Sequence, residues 1–278
     1  MTPRILAAPR RWRRHRAAEP TPRGLLVEQP RHGYGSPGFG RAVLDHSIGR
    51  PAAEQDRSAR YRTGLAQEGS SAVAPYDIKR DLKQLYAPKN TAWSLLDVPE
   101  QQFLAVDGSG DPNTAPAYAA AVEALYATAY TLKFAAKQAE GGDFVVGPLE
   151  GLWWSEDHAA FTSRDKDAWS WTMLISLPPR VTPEQVDAAK QTAERKKRLP
   201  AVSTVRRLTL REGRCAQLVH HGPYDDEAPA LAELHDSYLP AHSLRPGGRH
   251  HEIYLSDPRR TAPAKLRTVL RQPVEPDA

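Results

Sequence analysis

Two glutamates stand in the middle of runs that otherwise have the composition of β-strands. Glu252 lies in residues 251–255, His-Glu-Ile-Tyr-Leu, and Glu150 lies in residues 148–154, Pro-Leu-Glu-Gly-Leu-Trp-Trp. Burying a carboxylate among apolar side chains is costly unless the charge is paired or neutralised. Two such glutamates facing one aromatic cavity would form a site for a cationic or reactive small molecule.

Glu252 is the stronger candidate for chemistry because Tyr254 follows it by two positions. Residues i and i+2 of a strand point to the same face, so the carboxylate and the phenol project together. In a cleft, Glu252 could act as general base on a water or pair with a ligand cation, since desolvation would raise its pKa towards neutrality. Tyr254 could donate a hydrogen bond to a developing oxyanion. The alternative is that Glu252 points outward and pairs with an arginine such as Arg249.

Tryptophans surround the second candidate, Glu150, on its own strand and on the next. Glu150 shares a face with Trp154, so Trp154 rather than Trp153 is predicted to line the cavity. Trp169 and Trp171 share one face of the following strand and are predicted to stand beside Trp154 as an aromatic wall for a flat polycyclic ligand. The alternative is that these tryptophans form an ordinary hydrophobic core.

A long helix predicted to begin at Pro116 carries a second set of aromatic residues. Tyr126, Tyr130 and Phe134 recur at every fourth position, so this flank can line a cleft while the other flank covers a sheet. Glu123 can share the same flank, although a solvated helix glutamate is the commoner case. The four side chains are predicted to contact a ligand.

The sequence gives little support for metal or nucleophilic chemistry. Paired histidines occur at positions 220–221 and 250–251, but no H-x-x-x-H helix or carboxylate at zinc-ligand spacing accompanies them. Cys215 is the only cysteine and falls in a predicted buried strand, and neither a G-x-S-x-G motif nor a phosphate-binding glycine loop is present. We therefore predict no metal site and no cofactor.

The elements that would position these residues occur twice. Residues 103–108 resemble residues 217–222 in pattern, and each stretch is followed by a predicted helix and a strand with a central glutamate. Two β-α-β-β units predict an α+β fold with pseudo-twofold symmetry. In such a fold, helices pack on a shared antiparallel sheet and leave a ligand cleft along the axis.

Residues 1–75 differ in composition from the rest of the chain. They contain 13 Arg, no Lys and 6 Asp plus Glu, which gives this stretch a net charge of +7. The whole chain has a net charge of +5, so the remaining residues carry −2. We predict a disordered Arg/Pro-rich extension, with a nucleic-acid-binding or acidic-surface-binding arm as the alternative. Residues 76–274 are predicted to form one ligand-binding domain.

The same distribution bears on partners and location. Because the excess positive charge lies in the extension, a nucleic-acid partner is not favoured. No stretch approaches the roughly 20 apolar residues of a membrane span, so no membrane partner is predicted. The expected location is the cytoplasm, and the expected partner is a small-molecule ligand.

Several motifs resemble a known family. His-Gly-Pro-Tyr-Asp at residues 221–225 and Glu-Ile-Tyr-Leu-Ser-Asp-Pro-Arg at residues 252–259 resemble the GyrI-like small-molecule-binding superfamily. Residues 121–126 and 130–134 are similar to the stand-alone branch of that superfamily. The resemblance implies two SHS2-type β-α-β-β modules around a cleft, where aromatic side chains and an acidic residue hold drug-sized ligands. It also favours the cleft position for Glu252.

The resemblance leaves three functions open. Some stand-alone members are cyclopropanoid cyclopropyl hydrolases, which open the strained ring of DNA-alkylating natural products of the yatakemycin type and so protect the cell. In a hydrolase of this kind, Glu252 and Tyr254 would take part in the reaction. Glu150 would be a pseudo-symmetric partner that shapes or polarises the pocket. A non-catalytic drug sensor or sequestering protein would use the same side chains to bind a lipophilic cation. The third function is an interaction module that, like the name-giving member of the superfamily, inhibits DNA gyrase.

Overall fold

A computed structural model describes residues 74–139, 142–156 and 165–277. The predicted N-terminal extension, apart from its last two residues, lies outside the described residues. Within the described residues, no helix is long and apolar enough to span a membrane.

The helices begin where the sequence provides caps or prolines. The side chain of Asp77 caps the first short helix, and Thr182 forms a capping box with Gln185 at the start of a longer helix. The long aromatic helix begins at Pro116, a residue suited to a first turn. The helices are α1 (Ile78–Asp81), α2 (Lys83–Tyr86), α3 (Pro116–Gln138), α4 (Pro183–Lys197), α5 (Ala228–Glu233) and α6 (Leu239–Ala241), with a π-helical turn at Leu234–Tyr238 between the last two.

Nine strands form one antiparallel sheet in the described part of the chain. Their order across the sheet is β1-β6-β9-β8-β3-β4-β2-β5, and β7 pairs with β9 outside this path. The strands are β1 (Ser94–Val98), β2 (Gln101–Ser109), β3 (Leu149–Trp154), β4 (Ser170–Leu177), β5 (Arg206–Leu210), β6 (Gly213–His221), β7 (Leu244–Pro246), β8 (His250–Tyr254) and β9 (Arg267–Pro276).

The predicted α+β fold with a duplicated β-α-β-β order is confirmed. The first module contributes β2, α3, β3 and β4, and the second contributes β6, the helical segment from α5 to α6, β8 and β9. In the sheet, the first module reads β3-β4-β2 outward from the centre and the second reads β8-β9-β6. The pseudo-twofold axis therefore passes between β3 and β8, which pair with each other.

The strand that precedes each module pairs with the other module. β1 precedes the first module but pairs with β6, and β5 precedes the second module but pairs with β2. This exchange ties the two modules together at both outer edges of the sheet, in addition to the central β3–β8 pair.

The two faces of the sheet have different coverings. We call the side that carries Trp153 and Glu252 the front face, and the side that carries Glu150 and His251 the back face. On the front, α3 and α4 cover the first module, and Leu234 packs over the second module. On the back, residues of α1 and α2 pack against β6, β8 and β9. Each large apolar side chain buried in these clusters contributes about 1.5–3 kcal/mol.

Candidate functional site

The floor of the site is the front face of the β3–β8 pair. Gly151 lies opposite Glu252, and Trp153 lies opposite His250. Tyr254 follows on the same face as Glu252, and its hydroxyl donates a hydrogen bond of 2.8 Å to Glu252 Oε2. The structure therefore brings the carboxylate and the phenol together at the pseudo-twofold axis, where the cleft between α3 and α5 opens. We call this the front cleft.

A tryptophan determines where the tyrosine proton points. Trp153 Nε1 donates a hydrogen bond of 3.1 Å to the Tyr254 hydroxyl. Because an indole N–H only donates, the Tyr254 hydroxyl accepts here and directs its own proton to Glu252. Tyr254 therefore orients the carboxylate in this structure, whereas the sequence-based hypothesis gave its proton to a ligand oxyanion.

The glycine opposite Glu252 makes this arrangement sterically possible. A Cβ at Gly151 would lie 2.7 Å from Trp153 Nε1 and 3.2 Å from the Tyr254 hydroxyl. The larger side chain would displace the indole that holds Tyr254. The absence of a side chain at this one position thus allows the Trp153–Tyr254–Glu252 chain of hydrogen bonds to form.

Aromatic rings line the wall of the front cleft. The Tyr118 ring stacks on Trp153 at 6.4 Å, and the Trp169 ring meets Trp153 edge-on at 5.8 Å. Tyr224 approaches Tyr254 edge-on at 5.5 Å. Such edge-on and stacked pairs form a stiff wall suited to planar ligands.

The structure places Trp154 on the back face of β3, and the aromatic wall forms around Trp153 on the front face. Trp154 belongs to the back face, where the guanidinium of Arg249 lies 3.5 Å from its ring centroid. Trp169 and Trp171 stand on the Trp153 side, but Trp171 is fully buried and supports the wall from behind. Arg249 is thus engaged with Trp154, which answers the alternative that it pairs with Glu252.

Within the cleft, the groups in contact with Glu252 are neutral, and its hydrogen-bond partner is a tyrosine rather than a cation. Its side chain keeps 16% of its surface exposed, and its Oε1 lies 3.7 Å from His250 Nε2. Burial lowers the pKa of His250 to about 3, so this imidazole is neutral. Burial raises the pKa of Glu252 to about 7, against the opposing effects of the Tyr254 hydrogen bond and the charge of His251.

A second carboxylate, Glu227, shares the front cleft. It occupies the N-cap position of α5, its exposed fraction is 5%, and its Oε1 has no hydrogen-bond partner. Burial, followed by the negative charge of Glu252, raises the pKa of Glu227 to about 9. At neutral pH the cleft therefore holds a protonated carboxylic acid beside a carboxyl group close to its midpoint. This pattern of two acids with separated pKa values is typical of acid–base sites.

Glu150 does not share this cleft. Its side chain lies on the back face, is fully buried, and accepts hydrogen bonds from the Tyr86 hydroxyl at 3.1 Å and from His251 Nε2 at 3.0 Å. The hypothesis that Glu150 and Glu252 face one cavity is wrong. Glu150 pairs across the strands with Ile253, and the side chains of paired residues lie on the same face of the sheet. Because Glu252 is the neighbour of Ile253 in β8, it points to the opposite face from Glu150.

Glu150 instead belongs to a buried ion network, which we call the back network. His251 Nδ1 lies 2.9 Å from Glu212 Oε1, and Arg271 Nη1 donates to Glu212 Oε2 at 3.0 Å. Although burial alone would raise the pKa of Glu212, the adjacent His251 and Arg271 lower it to about 2. Burial opposes the charged form of His251, but Glu212 and Glu150 raise its pKa to about 9.

The predicted aromatic flank of α3 lies at the rim of the front cleft. Tyr126 stacks with Tyr130 at 6.3 Å, and Tyr130 is 6.3 Å from Phe134. Tyr130 and Phe134 are 47% and 58% exposed, so they offer open ring surface rather than a closed wall. Glu123 is exposed on the same rim, as expected for a solvated helix glutamate.

Sequence reasoning missed Glu227, Trp153, Tyr118 and Gly151 as site residues. A glutamate at a helix start resembles an ordinary N-terminal acid, and Tyr118 belongs to a regular apolar stripe, so neither carries a local signal. The choice between Trp153 and Trp154 required the strand register. Among the described residues, no group of three or more His, Cys, Asp or Glu side chains is arranged to hold a metal ion.

Comparisons with known proteins agree with this architecture. The structure of an uncharacterized conserved protein from Listeria innocua is 43% identical, with a TM-score of 0.66, and the match covers 72% of this chain and 100% of that one. Two structures described as hydrolases from the same organism are 41% and 42% identical, with TM-scores of 0.63 and 0.65 and the same coverage. No curated protein matches the sequence.

A family match covers the modules and the site together. The family described as GyrI-like small molecule binding domain matches residues 92–275, a span that includes both β-α-β-β modules, Glu227 and Glu252. The chain therefore belongs to the GyrI-like small molecule binding domain family.

Proposed function

We propose that this protein is a hydrolase that opens the cyclopropane ring of planar, genotoxic natural products bound in the front cleft. The observation that carries the proposal is the pair of unlike acids in the cleft. Glu252 is held by Tyr254 and has a pKa of about 7, while Glu227 has a pKa of about 9. One carboxyl group is suited to accept a proton near neutral pH and the other to donate one.

The reaction needs a base, an acid and a bound water. Glu252 Oε1 accepts a proton from the water as its oxygen forms a bond to a cyclopropane carbon. The strained carbon–carbon bond breaks, and its electron pair moves through the conjugated ring to the carbonyl oxygen, which becomes a phenolate. Glu227 donates its proton to that phenolate, and exchange with solvent returns both carboxyl groups to their starting states.

The surrounding rings supply binding and orientation. Trp153, Trp169 and Tyr118 provide a wall for the reacting planar unit, while Tyr126, Tyr130 and Phe134 provide stacking surface at the rim for a further unit. Holding a reactant against a positioned base converts a bimolecular reaction into an intramolecular one, which can contribute several orders of magnitude in rate. No covalent nucleophile is needed.

The relatives support hydrolysis in general terms. Two Listeria proteins that are 41% and 42% identical are described as hydrolases. The cyclopropane-bearing substrate is the specific part of the proposal and comes from the resemblance of the sequence motifs together with the acid pair.

A non-catalytic drug-binding protein is the second candidate. The specific observation in its favour is that Glu252 accepts its hydrogen bond from a neutral tyrosine and lies beside a neutral histidine. A lipophilic cation could supply the positive charge that this carboxylate lacks, with the aromatic wall stacked against it.

The decisive experiment follows the ring-opened product. Purified protein is incubated at pH 8 with a cyclopropane-bearing DNA alkylator, and the hydrated product is measured by mass spectrometry. We expect turnover by the wild type and a loss of at least about 100-fold in kcat for Glu252→Gln, the usual range for removing a general base, with binding retained.

A matched control is Glu123→Gln, which removes an exposed carboxylate on the rim and should leave kcat unchanged. Binding of the alkylator by the wild type without any ring-opened product would overturn the hydrolase proposal and favour the drug-binding alternative.

A further inference from the structure

His251 lies between two buried carboxylates. Its Nε2 is 3.0 Å from Glu150 Oε2, and its Nδ1 is 2.9 Å from Glu212 Oε1. Both ring nitrogens face carboxylate oxygens, an arrangement that favours the imidazolium because both of its N–H groups can donate. The exposed fraction of the His251 side chain is 0%, so water does not screen this charge.

This cation is directly behind Glu252. The two residues are adjacent in β8 and project to opposite faces of the same strand, so the backbone of a single strand separates their side chains. Because the cross-strand neighbour of Glu252 is Gly151, β3 adds no side chain on the cleft side of this pair. Opposite charges attract more strongly across a protein interior than in water, because the interior has a lower dielectric constant.

We propose that His251 is a positioning residue for Glu252: its imidazolium anchors β8 from the back face and favours the ionised form of the Glu252 carboxylate in the front cleft. The proposal deepens the proposed function, on which it rests for the role of Glu252 as a base. According to this proposal, the back network influences the chemistry of the front cleft although none of its side chains lines that cleft.

Other groups around Glu252 do not substitute for this cation. Glu227 adds negative charge from the start of α5, His250 is neutral, and Lys166 is already paired with Asp225 at 3.3 Å. The charge of His251 precedes that of Lys166 among the effects that lower the pKa of Glu252. The titratable groups acting on or facing Glu252 from its surroundings are Tyr118, Lys166, Tyr224, Glu227, His250, His251 and Tyr254.

Two substitutions in the back network test the proposal because they change its charge in opposite directions. His251→Gln removes a positive charge behind Glu252 and should raise the Glu252 pKa by about one unit. Glu150→Gln removes a negative charge while its amide oxygen still accepts from Tyr86 and His251, so it should lower the Glu252 pKa by a smaller amount. A purely structural role for the network would not give shifts of opposite sign.

The measurement is made on the full chain without ligand. Glutamate side-chain carboxyls are labelled with ¹³C, the Glu252 resonance is identified by its loss in Glu252→Gln, and its chemical shift is followed against pH. Arg211→Gln is the control, since it removes an exposed cation that pairs with Glu100 outside the cleft lining, and it should leave the Glu252 titration unchanged.

The outcomes separate this inference from the proposed function. A Glu252 pKa that is unchanged or raised in folded Glu150→Gln would overturn the inference, even if His251→Gln does not fold. If the opposite shifts occur in a protein that shows no turnover, the inference about ionisation holds and the hydrolase proposal fails. In an active protein, the acidic limb of the pH–rate profile should move with the Glu252 titration.

Discussion

Two buried or largely buried carboxyl groups lie at each face of the β3–β8 pair, one from the pair itself and one from a neighbouring segment, and the partners of these groups differ. On the back face, Glu150 and Glu212 contact the cations His251 and Arg271. On the front face, Glu252 accepts from a neutral tyrosine. The back network therefore pairs its two carboxyl groups with two cationic side chains, whereas the front cleft holds acids without an adjacent hydrogen-bonded cation among the described residues.

The comparison shows that burial alone does not determine ionisation. Glu212 has 3% of its side chain exposed and a pKa lowered to about 2, while the more exposed Glu252 has a pKa raised to about 7. Two cations that are hydrogen-bonded to Glu212 outweigh its desolvation, whereas no cation is hydrogen-bonded to Glu252 and its desolvation prevails. The back face is thus suited to holding strands together, and the front face is suited to proton transfer or to binding a cation.

The largest expected effect comes from breaking the back network. Arg271→Met should reduce the free energy of unfolding by about 3–5 kcal/mol, because Glu212 would lose a cation partner in a fully buried setting. Arg271 also donates to Gln217 Oε1 and to the Leu85 carbonyl, which would lose these hydrogen bonds. Urea denaturation at pH 7 measures the change.

The front face provides the matched control for that experiment. Glu252→Gln should leave the free energy of unfolding at pH 8 unchanged or raise it by about 1 kcal/mol, because it removes a partly desolvated charge. A loss for Arg271→Met no larger than the change for Glu252→Gln would contradict the assignment of separate roles to the two faces.

The next effect is a change in the pH dependence of stability. The pKa of Glu227 is raised in the folded protein from 4.5 to about 9, so the folded state holds this proton more tightly than the unfolded state. The resulting stabilisation is fully present below pH 4.5 and is lost as the pH rises towards 9, by up to about 1.4 kcal/mol per pH unit. Glu227→Gln should remove this contribution and flatten the pH dependence of the free energy of unfolding between pH 5 and pH 9 in urea denaturation series. The smaller contributions of Glu252 and His251, whose pKa values are also raised, should remain.

Glu233→Gln is the control for the pH series. Glu233 is an exposed glutamate of the same helical segment, so its substitution should preserve the wild-type slope. A Glu227→Gln protein whose stability still falls as steeply as that of the wild type would show that Glu227 is ionised at neutral pH.

The smallest effect distinguishes two adjacent tryptophans. Trp153→Phe should weaken binding of a planar lipophilic cation such as ethidium by about tenfold, a loss of about 1.4 kcal/mol, because Tyr254 loses its indole donor and the wall loses ring area. Trp154→Phe should change the affinity by less than about twofold, since its ring packs under Arg249 on the back face. Isothermal titration calorimetry on both variants gives the comparison, and equal losses would place both rings at the ligand.

Much of the fold could be predicted from local patterns. Alternation in β8 put Glu252 and Tyr254 on one face, and the proline and apolar spacing of α3 predicted its start and its packing stripe. The same alternation correctly grouped Glu150 with Trp154. The error was to place Glu150 and Trp154 in the cleft. The alternation of a strand predicts which residues share a face of the sheet, but it does not predict which of the two faces borders the cleft.

The sequence by itself determined the repeated β-α-β-β order, the residues that share each strand face and the aromatic flank of the long helix, because these follow from the periodicity of single elements. Only the tertiary structure decided which glutamate enters the cleft and what partner it meets there. The pairing of Gly151 with Glu252 and the burial of Glu227 at a helix start bring together residues distant in sequence, and the pKa of each carboxyl group depends on those distant neighbours. Charge partners in space, rather than residue types in sequence, separate the acids with raised pKa values at the front of this strand pair from the ion-paired acids at its back.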